Sequence, residues 1–249
     1  MPLIVQHFVG IFNAYQANKY DAFFETKKGK YIYEVETRDL LNMLDLKPGM
    51  RILEIGSGTG LYITKFAKQG IKMVGIDISE HMTAIAQQKI DHLQLDAEVH
   101  VMDANHIDFP ENYFDAAFSM GVFDFIEQPE NVYQSISKVV KPGGKIVIAT
   151  VNRESQYGEL YMSPEFNKGK VYAHAHFKSM DDLVAMRPDH VFQKSACLFV
   201  AYGAEESMFT LEKEEELRNK IAGGWITVGF TNKKIELYYT DLLYPVTFF

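Results

Sequence analysis

Cysteine is almost absent from this sequence of 249 residues, which contains Cys197 alone. A single thiol cannot form an internal disulfide, so the fold does not depend on cross-links and a reducing compartment is expected. Long apolar runs are also missing, and a transmembrane helix needs about 20 such residues in succession. The first residues contain no basic side chain before Lys19, which makes them a poor secretion signal. We therefore expect a cytoplasmic protein without a membrane partner.

Positive charge is scarce as well. The chain has 25 Lys and Arg residues against 33 Asp and Glu residues, a formal net charge of −8. Because nucleic-acid binding depends largely on the neutralisation of phosphates by Lys and Arg, we expect no nucleic-acid partner. Linker-like Ser, Gly or Pro tracts and internal repeats are absent too. The sequence therefore predicts a single domain over residues 1–249.

Short apolar segments alternate with helical patterns between residues 51 and 150. The segments that predict strands are RILEI, KMVGI, AEVHVM, FDAAFSM and KIVIAT. Such alternation predicts a parallel sheet with helices on both faces. Two later segments, VFQKSACLFVAY and WITVGF, predict an antiparallel pair on the C-terminal side. The expected fold is α/β, Rossmann-like and doubly wound, with seven strands that are mostly parallel.

Three segments lie outside this alternation. Apolar residues at helical spacing near Val5 to Phe12 and from Tyr33 to Leu44 predict an N-terminal helical lid over residues 1–46. Residues 152–178 are polar, aromatic and poorly periodic, which predicts a cap-like excursion over the active site. The tail IELYYTDLLYPVTFF is apolar and is expected to pack on the body or on a second subunit, which allows a homodimer.

A glycine-rich turn follows the first predicted strand in ILEIGSGTGL, from Ile52 to Leu61. Such a turn lets a ligand approach the backbone at the carboxyl edge of the sheet. The dinucleotide motif Gly-x-Gly-x-x-Gly does not fit, because Gly60 comes one position early and Leu61 stands where glycine is needed. S-adenosylmethionine is a cation without phosphate, and Glu54 supplies a nearby acid that a pyrophosphate would repel. An NAD-dependent oxidoreductase is the weaker alternative.

The segment LEIGSGTG resembles the first motif of the class I S-adenosylmethionine-dependent methyltransferases. The segments that follow match that family in order: VGIDIS, VMDANHIDFP, NYFDAAFSMGVFDFI and VVKPGGKIVIA. The segment YDAFFETKKGKYIYEVE resembles the N-terminal part of the small-molecule methyltransferases of the type 11 group. The resemblance implies a transferase that uses S-adenosyl-L-methionine as cofactor and a small molecule as methyl acceptor.

The same resemblance implies roles for individual residues in cofactor binding. Asp77 would accept the ribose hydroxyls, Met82 would lie against adenine, and Tyr20 would fold over the cofactor. Asp103 and Ala104 would contact the adenine amino group and ring nitrogen, and Met120 and Gly121 would lie beside the departing methyl group. The predicted cofactor-binding residues are Tyr20, Glu54, Gly56, Ser57, Gly58, Gly60, Asp77, Ile78, Met82, Asp103, Ala104, Ser119, Met120 and Gly121.

Aromatic residues from three segments are candidates for the acceptor pocket. They are Tyr15, Phe123, Phe125, Tyr157, Tyr161 and Tyr172. These rings could enclose a planar or cationic acceptor, or they could form a small core of the excursion itself. His174 and His176 in HAHF would share one side of an extended segment, and both, with Tyr161, are candidate bases. No metal is expected because a third ligand is not evident.

The catalytic residue stays unassigned at this stage, since positioning can supply much of the rate of a methyl transfer and an amine acceptor needs only to be unprotonated. A second function has the same cofactor motifs, namely a non-catalytic protein that binds S-adenosylmethionine or S-adenosylhomocysteine. The two functions differ in the pocket: an enzyme needs free space for an acceptor, whereas a binding protein could fill that space with its own side chains.

Overall fold

The computed structural model describes residues 14–167 and 171–233. These residues form one seven-stranded sheet with the strand order β3-β2-β1-β4-β5-β7-β6. The strands are β1 (Arg51–Ile55), β2 (Lys72–Asp77), β3 (Ala97–Val101), β4 (Phe114–Met120), β5 (Val140–Val151), β6 (Val191–Cys197) and β7 (Trp225–Thr231). Strands β1 to β5 pair in parallel, and β7 runs antiparallel to both β5 and β6. The predicted doubly wound, mostly parallel fold is therefore confirmed.

Nine α-helices lie in the described part of the chain. They are α1 (Ala14–Glu25), α2 (Lys27–Met43), α3 (Leu61–Ala67), α4 (Glu80–Leu93), α5 (Pro129–Val139), α6 (Gln156–Met162), α7 (Pro164–Asn167), α8 (Met180–Ala185) and α9 (Leu211–Leu217). Several of these helices begin with an N-terminal side-chain cap. The Thr26 side chain accepts from the Gly29 amide, and the Ser79 side chain accepts from the Met82 amide. Among these described helices, none has both the length and the apolar character that a membrane crossing requires.

Two hydrophobic cores cover the two faces of the sheet. Ile52 of β1 packs with residues of α2, α3 and α4, whereas the next residue, Leu53, packs with residues of α5 and α8. Neighbouring residues of a strand point to opposite faces, so a strand that is apolar at both positions must be covered on both sides. This requirement explains why the central strands read as continuous apolar segments.

A third core lies beyond the carboxyl end of β5, under the excursion of residues 152–178. Tyr157 and Tyr161 of α6 pack there against Val35 of α2 and against Trp225 at the start of β7. Asn152 and Lys178 form an isolated parallel bridge, so the excursion leaves the sheet and returns to the same place. Its described residues form two short α-helices and a 3-10 helix, which its weak periodicity did not indicate.

One strand is shorter than the sequence predicts. The segment from Val191 was expected to stay extended to Tyr202, but β6 ends at Cys197 because Leu198 adopts a left-handed conformation with φ of 60°. The chain then turns away from the sheet and Tyr202 reaches the edge where the cavity lies. The predicted N-terminal helix near Val5 to Phe12 and the apolar tail, from residue 235 onwards, lie outside the described residues.

Candidate active site

A cavity of about 660 Å³ opens at the carboxyl ends of the parallel strands. Its lining includes the last residues of β1, β2, β4 and β5, both N-terminal helices, the excursion and the segment that follows β6. Parallel strands bring the loops at their carboxyl ends to the same edge of a sheet, where open α/β folds bind their ligands. The volume lies within the range of about 300–1,000 Å³ that is usual for small-molecule sites.

The glycine-rich turn joins β1 to α3 below this cavity. Gly56, Gly58 and Gly60 all have positive φ, at 72°, 51° and 79°. At Gly56 a Cβ atom would lie 1.8 Å from Cγ2 of Val122, so glycine is the residue that this close approach allows. The Gly56 and Ser57 amides donate to the carbonyl of Ile76 in β2, which fixes the turn against the neighbouring strand.

Asp77 at the end of β2 lines the cavity and connects to the same turn. Its Oδ2 accepts from the Gly58 amide at 2.9 Å, and its Oδ1 accepts from the Ser79 amide at 2.8 Å. Burial raises the pKa of Asp77, although these backbone donors act in the opposite direction. Each carboxylate oxygen keeps a further lone pair, so the group can accept hydroxyl donors from a ligand while it holds the turn.

The wall beside Asp77 is apolar and ends in a second acid. Ile78, Met82 and Met102 line this part of the cavity, and Met82 is 4 % exposed. Asp103 also lines it, and its Oδ1 accepts from the Asn105 amide at 2.9 Å. A slot with apolar sides and a polar group at its rim suits a flat heterocycle with an exocyclic amine.

Nine of the fourteen predicted cofactor-binding residues line this cavity. They are Tyr20, Gly56, Asp77, Ile78, Met82, Asp103, Ala104, Met120 and Gly121. The other five, Glu54, Ser57, Gly58, Gly60 and Ser119, do not line it. Glu54, Ser57 and Ser119 are buried. Gly58 and Gly60 contribute through the backbone of the turn, where the Gly58 amide donates to Asp77.

Glu54 illustrates this placement. Its side chain is 2 % exposed, and burial, followed by the charge of Asp77, raises its pKa. Both effects favour the neutral carboxyl group over the anion that the sequence argument assigned to a cationic cofactor. Ser57 lies behind the turn too, where its side chain packs against Gly75 of β2.

Helix α1 forms one side of the cavity and is tied to the glycine turn by Asp21. The Thr59 hydroxyl donates to Oδ1 of Asp21 at 2.5 Å, and Lys89 of α4 pairs with Oδ2 at 2.7 Å. Tyr20, one residue earlier, lines the cavity and contacts Phe24 with a ring-centroid distance of 4.9 Å. Sequence reasoning did not identify Asp21, because an acid on a polar helix face gives no signal of its partners.

The excursion contributes an aromatic wall to the cavity, formed by Tyr157, Tyr161, Phe166 and Tyr172. Tyr161 lies at its centre: its ring centroid is 4.5 Å from that of Tyr172 and 5.0 Å from that of Phe166. Phe125, which follows β4, stacks on Tyr172 with a ring-centroid distance of 6.4 Å. The rings therefore pack on one another and face the cavity at the same time.

Two predicted acceptor residues and both histidines lie away from the cavity lining. Tyr15 is 62 % exposed on α1, whereas Phe123 is fully buried in the core. His174 ends a 3-10 helix, so the extended geometry expected for HAHF is not formed. The His176 ring lies 4.0 Å from Glu127, while its amide donates to the carbonyl of Asp124. Within the described ranges, no group of three or more His, Cys, Asp and Glu side chains could hold a metal ion.

Two further buried acids, Glu36 and Asp124, line the cavity. Glu36 of α2 is 8 % exposed and lines the cavity, and burial raises its pKa to about 8, an effect that the nearby Tyr62 hydroxyl offsets only in part. Asp124 follows β4 in a short 3-10 helix and is 2 % exposed. It accepts from the Thr150 hydroxyl and from the Val151 amide, and burial raises its pKa to about 7.

Sequence analysis did not predict Glu36 as a site residue, although its apolar neighbours at helical spacing indicate that it is buried. Its neighbours at helical spacing, Ile32, Leu40 and Met43, are all buried, so an acid occurs within an otherwise apolar helix face. A carboxyl group in such a position needs a partner or a function, because burial of an unpaired charge is costly. Asp124 stands between Phe123 and Phe125 in the same kind of apolar setting.

Comparison with known proteins identifies the family. The family model of a methyltransferase domain of the type 11 group matches residues 53–148. An uncharacterised protein of Methanocaldococcus jannaschii is 31% identical over 178 residues, which cover 72% of this chain and 78% of that protein. The phosphatidylethanolamine N-methyltransferase of Cereibacter sphaeroides is 35% identical over 102 residues, 40% of this chain, and the match spans half of that enzyme's length.

The fold has a solved counterpart as well. The crystal structure of an S-adenosylmethionine-dependent methyltransferase from Thermotoga maritima, described as a possible histamine N-methyltransferase, superposes with a TM-score of 0.66. The match covers 90% of this chain and 99% of that one at 24% sequence identity, which supports the shared fold. The chain belongs to the class I S-adenosylmethionine-dependent methyltransferases of the type 11 group, enzymes whose methyl donor is S-adenosyl-L-methionine.

Proposed function

We propose that this protein transfers a methyl group from S-adenosyl-L-methionine to a small-molecule acceptor bound in the same cavity. The observation that carries the proposal is the continuity of the cavity. One space of about 660 Å³ reaches from Asp77 and the glycine turn to the aromatic wall and Trp225. A cofactor at one end and an acceptor at the other would therefore meet without a barrier of protein atoms between them.

The residues at the strand ends fit the cofactor. Asp77, Ile78, Met82 and Asp103 all line the cavity, which supports this proposal. Asp77 would accept the ribose hydroxyls, Ile78 and Met82 would contact the faces of adenine, and Asp103 would accept from its amino group. Lys19 is the single basic residue in the described lining, which suits a cofactor without phosphate groups. When bound, S-adenosyl-L-methionine supplies an electrophilic methyl group on a sulfonium whose thioether leaves as a neutral group.

In this proposal the protein accelerates methyl transfer by positioning the two reactants and by excluding water from them. Gly121 follows β4 with φ of 81°, and the ring of Trp225 at the start of β7 lies close to it, so two strand ends border the cavity at this point. Such positioning can supply about 7–11 kcal/mol of the barrier when reactants are held in near-attack geometry. The names of the Cereibacter and Thermotoga proteins point to amine acceptors, which is consistent with a small molecule.

The alternative is a protein that binds the cofactor without catalysis. It would require the excursion to fill the acceptor half with its own side chains. The rings of Tyr157, Tyr161 and Tyr172 line the cavity instead of closing it, which favours an acceptor site. The described parts of the predicted lid and cap, residues 14–46, 152–167 and 171–178, would then hold the acceptor between them.

The experiment is a calorimetric titration with S-adenosyl-L-methionine, S-adenosyl-L-homocysteine and NAD, followed by a screen of acceptors for formation of S-adenosyl-L-homocysteine. We expect S-adenosyl-L-methionine and S-adenosyl-L-homocysteine to bind and NAD to give no measurable heat of binding. Turnover with a small acceptor would establish the proposal. Binding of the cofactor without turnover across amines, hydroxyls, thiols and acidic carbons would favour the non-catalytic alternative.

A further inference from the structure

The lining of the cavity is strongly biased in charge. Five acidic side chains and one basic side chain line it among the described residues. The acids are Glu36, Asp77, Asp103, Asp124 and Glu127, and the base is Lys19. Negative groups within a partly closed, low-dielectric space attract a cation and repel an anion. The described lining therefore suits a cationic ligand, which would hold the buried acids in their ionised form, and it opposes an acceptor that carries phosphate.

The acids form two separate sets. Asp77 and Asp103 stand at the ends of β2 and β3 and belong to the proposed cofactor half. Glu36 and Asp124 come from α2 and from the 3-10 helix after β4. Asp124 precedes Phe125, whose ring stacks on Tyr172 of the aromatic wall at 6.4 Å. Glu36 follows Val35, which packs in the third core with Tyr157 and Tyr161 of that wall. The second set therefore belongs to the acceptor half.

No cation of the described residues pairs with either acid of this second set. Glu36 has no Lys, Arg or His nitrogen within 4.0 Å among residues 14–167 and 171–233. The charge of Lys178 partly offsets the effect of burial on the pKa of Asp124, but its ammonium donates to the main-chain carbonyls of Ile126 and His176. A buried carboxylate without a counter-charge is costly, and a bound cation would remove that cost.

We propose that Glu36 and Asp124 bind the ammonium group of the acceptor against the aromatic wall, so that the acceptor is a cationic amine without a phosphate group. The inference rests on the proposed function, because it names the substrate class of the same cavity. The aromatic wall adds to the attraction, since ring faces stabilise a cation when water is excluded. An apolar or aromatic body on the amine would fill the space between Tyr161 and Trp225.

The same two acids provide the proton chemistry that an amine needs. An ammonium nitrogen has no lone pair and cannot attack a methyl group. One N–H bond breaks, the proton forms an O–H bond on Glu36 or Asp124, and the electron pair stays on nitrogen. When that nitrogen gains the methyl group, the positive charge lost by the sulfonium reappears on the methylated product. The site then holds a cation before and after the reaction.

The test measures binding in the presence of saturating S-adenosyl-L-homocysteine. The probes are 2-phenylethylamine, its neutral isostere 2-phenylethanol, and phosphoethanolamine. Calorimetry gives the affinities, and the emission of Trp225, the sole tryptophan, reports occupation of the cavity directly. Since charge-assisted hydrogen bonds are lost with the neutral probe, we expect the alcohol to bind about tenfold more weakly than the amine or worse.

Matched variants locate the effect. Glu36→Gln and Asp124→Asn keep the shape of each side chain and remove its charge, and Glu34→Gln removes an exposed charge from the same helix. We expect the first two to lose about tenfold or more in amine affinity and to keep the affinity for 2-phenylethanol and S-adenosyl-L-homocysteine. Glu34→Gln should change none of these affinities.

Other outcomes contradict the inference. Equal affinity for amine and alcohol, no binding of the amine, or unchanged amine affinity in both charge-removing variants would overturn it. Tighter binding of phosphoethanolamine than of 2-phenylethylamine would overturn the exclusion of phosphate. Failure of the wild-type protein to bind S-adenosyl-L-homocysteine would instead overturn the proposed function, so the two failures are distinguishable.

Discussion

The buried carboxyl group of Glu36 makes stability depend on pH in a direction opposite to that of a salt-bridged acid. Its pKa in the folded protein is about 8, against 4.5 for an ordinary glutamate, so the folded state binds the proton more tightly. The contribution of this group is fully present below pH 4.5 and is lost as the pH rises through 8. The protein without ligand should therefore become less stable over this interval.

Replacement of Glu36 by glutamine tests this dependence. At pH 5 the melting temperature of Glu36→Gln should stay close to that of the wild type, and above pH 8 the variant should melt at the higher temperature. Glu34→Gln on the same helix serves as control, since Glu34 is exposed. A constant difference between Glu36→Gln and wild type from pH 5 to pH 9 would show that Glu36 does not titrate as described.

Asp77 should show a double effect, because one carboxylate holds the turn and faces the cavity. Asp77→Ala leaves the Gly58 and Ser79 amides without their acceptors, which costs about 1–3 kcal/mol for each buried donor left unpaired. We expect a lower melting temperature together with weaker binding of S-adenosyl-L-methionine. Asp77→Asn should retain more stability and still lose affinity. Unchanged affinity in Asp77→Asn would place the ribose away from this carboxylate.

Residues whose chemistry follows from a motif could be predicted from the sequence, and residues that depend on tertiary packing could not. Asp77 and Met82 stand at fixed distances from the glycine turn, and both line the cavity. Phe123 and Phe125 are two positions apart, yet the 3-10 helix buries the first and directs the second into the cavity. A single 3-10 turn of this kind is too short to produce a periodic pattern of apolar residues in the sequence.

Among the elements, helix α1 forms one side of the cavity and carries Tyr20. Asp21 joins it to Thr59 in the glycine turn and to Lys89 in α4. Asp21→Ala should release this helix while the sheet and its two cores stay intact. Tyr20 lies on this helix and would move with it. We therefore expect the dissociation rate of S-adenosyl-L-methionine to rise several-fold, with a small change in melting temperature.

Stopped-flow displacement of the bound cofactor measures this rate. Glu25→Ala is a suitable control, since Glu25 lies on the same helix and pairs with Lys30 where both side chains are exposed. Surface pairs of this type contribute about 0–1 kcal/mol. Equal dissociation rates in Asp21→Ala and Glu25→Ala would mean that the position of α1 does not control cofactor release.

The predictability of the elements follows their burial. Strands β1, β2 and β4 and the second half of β5 are covered on both faces, so their apolar segments stand out from the helices between them. In the excursion, the aromatic rings of the short helices both pack in the third core and line the cavity. Its apolar residues therefore do not follow a simple helical periodicity. The end of β6 depended on one left-handed residue, Leu198, which no pattern of apolar residues indicates.

At the scale of the whole molecule, the cavity joins parts of the chain that are far apart in sequence. Tyr20 lies near the beginning of the described residues and Trp225 near their end. Both line the cavity, together with residues from the helices and from the strand ends. A ligand that binds only when these parts are assembled stabilises all of them together, since unfolding must release it. Ligand binding should therefore shift the melting of the entire domain.

S-adenosyl-L-homocysteine at about one hundred times its dissociation constant should add about 2.7 kcal/mol to the free energy of unfolding. For a domain of this size that corresponds to an increase of about 5–10 °C in melting temperature. Differential scanning fluorimetry measures the shift, with NAD at the same concentration as control. The Asp77→Asn variant should show a smaller shift than the wild type because its affinity is lower. A shift with NAD and none with S-adenosyl-L-homocysteine would contradict the assignment of the glycine turn, since the ligand stabilising the assembled cavity would then carry a pyrophosphate that its five acids oppose.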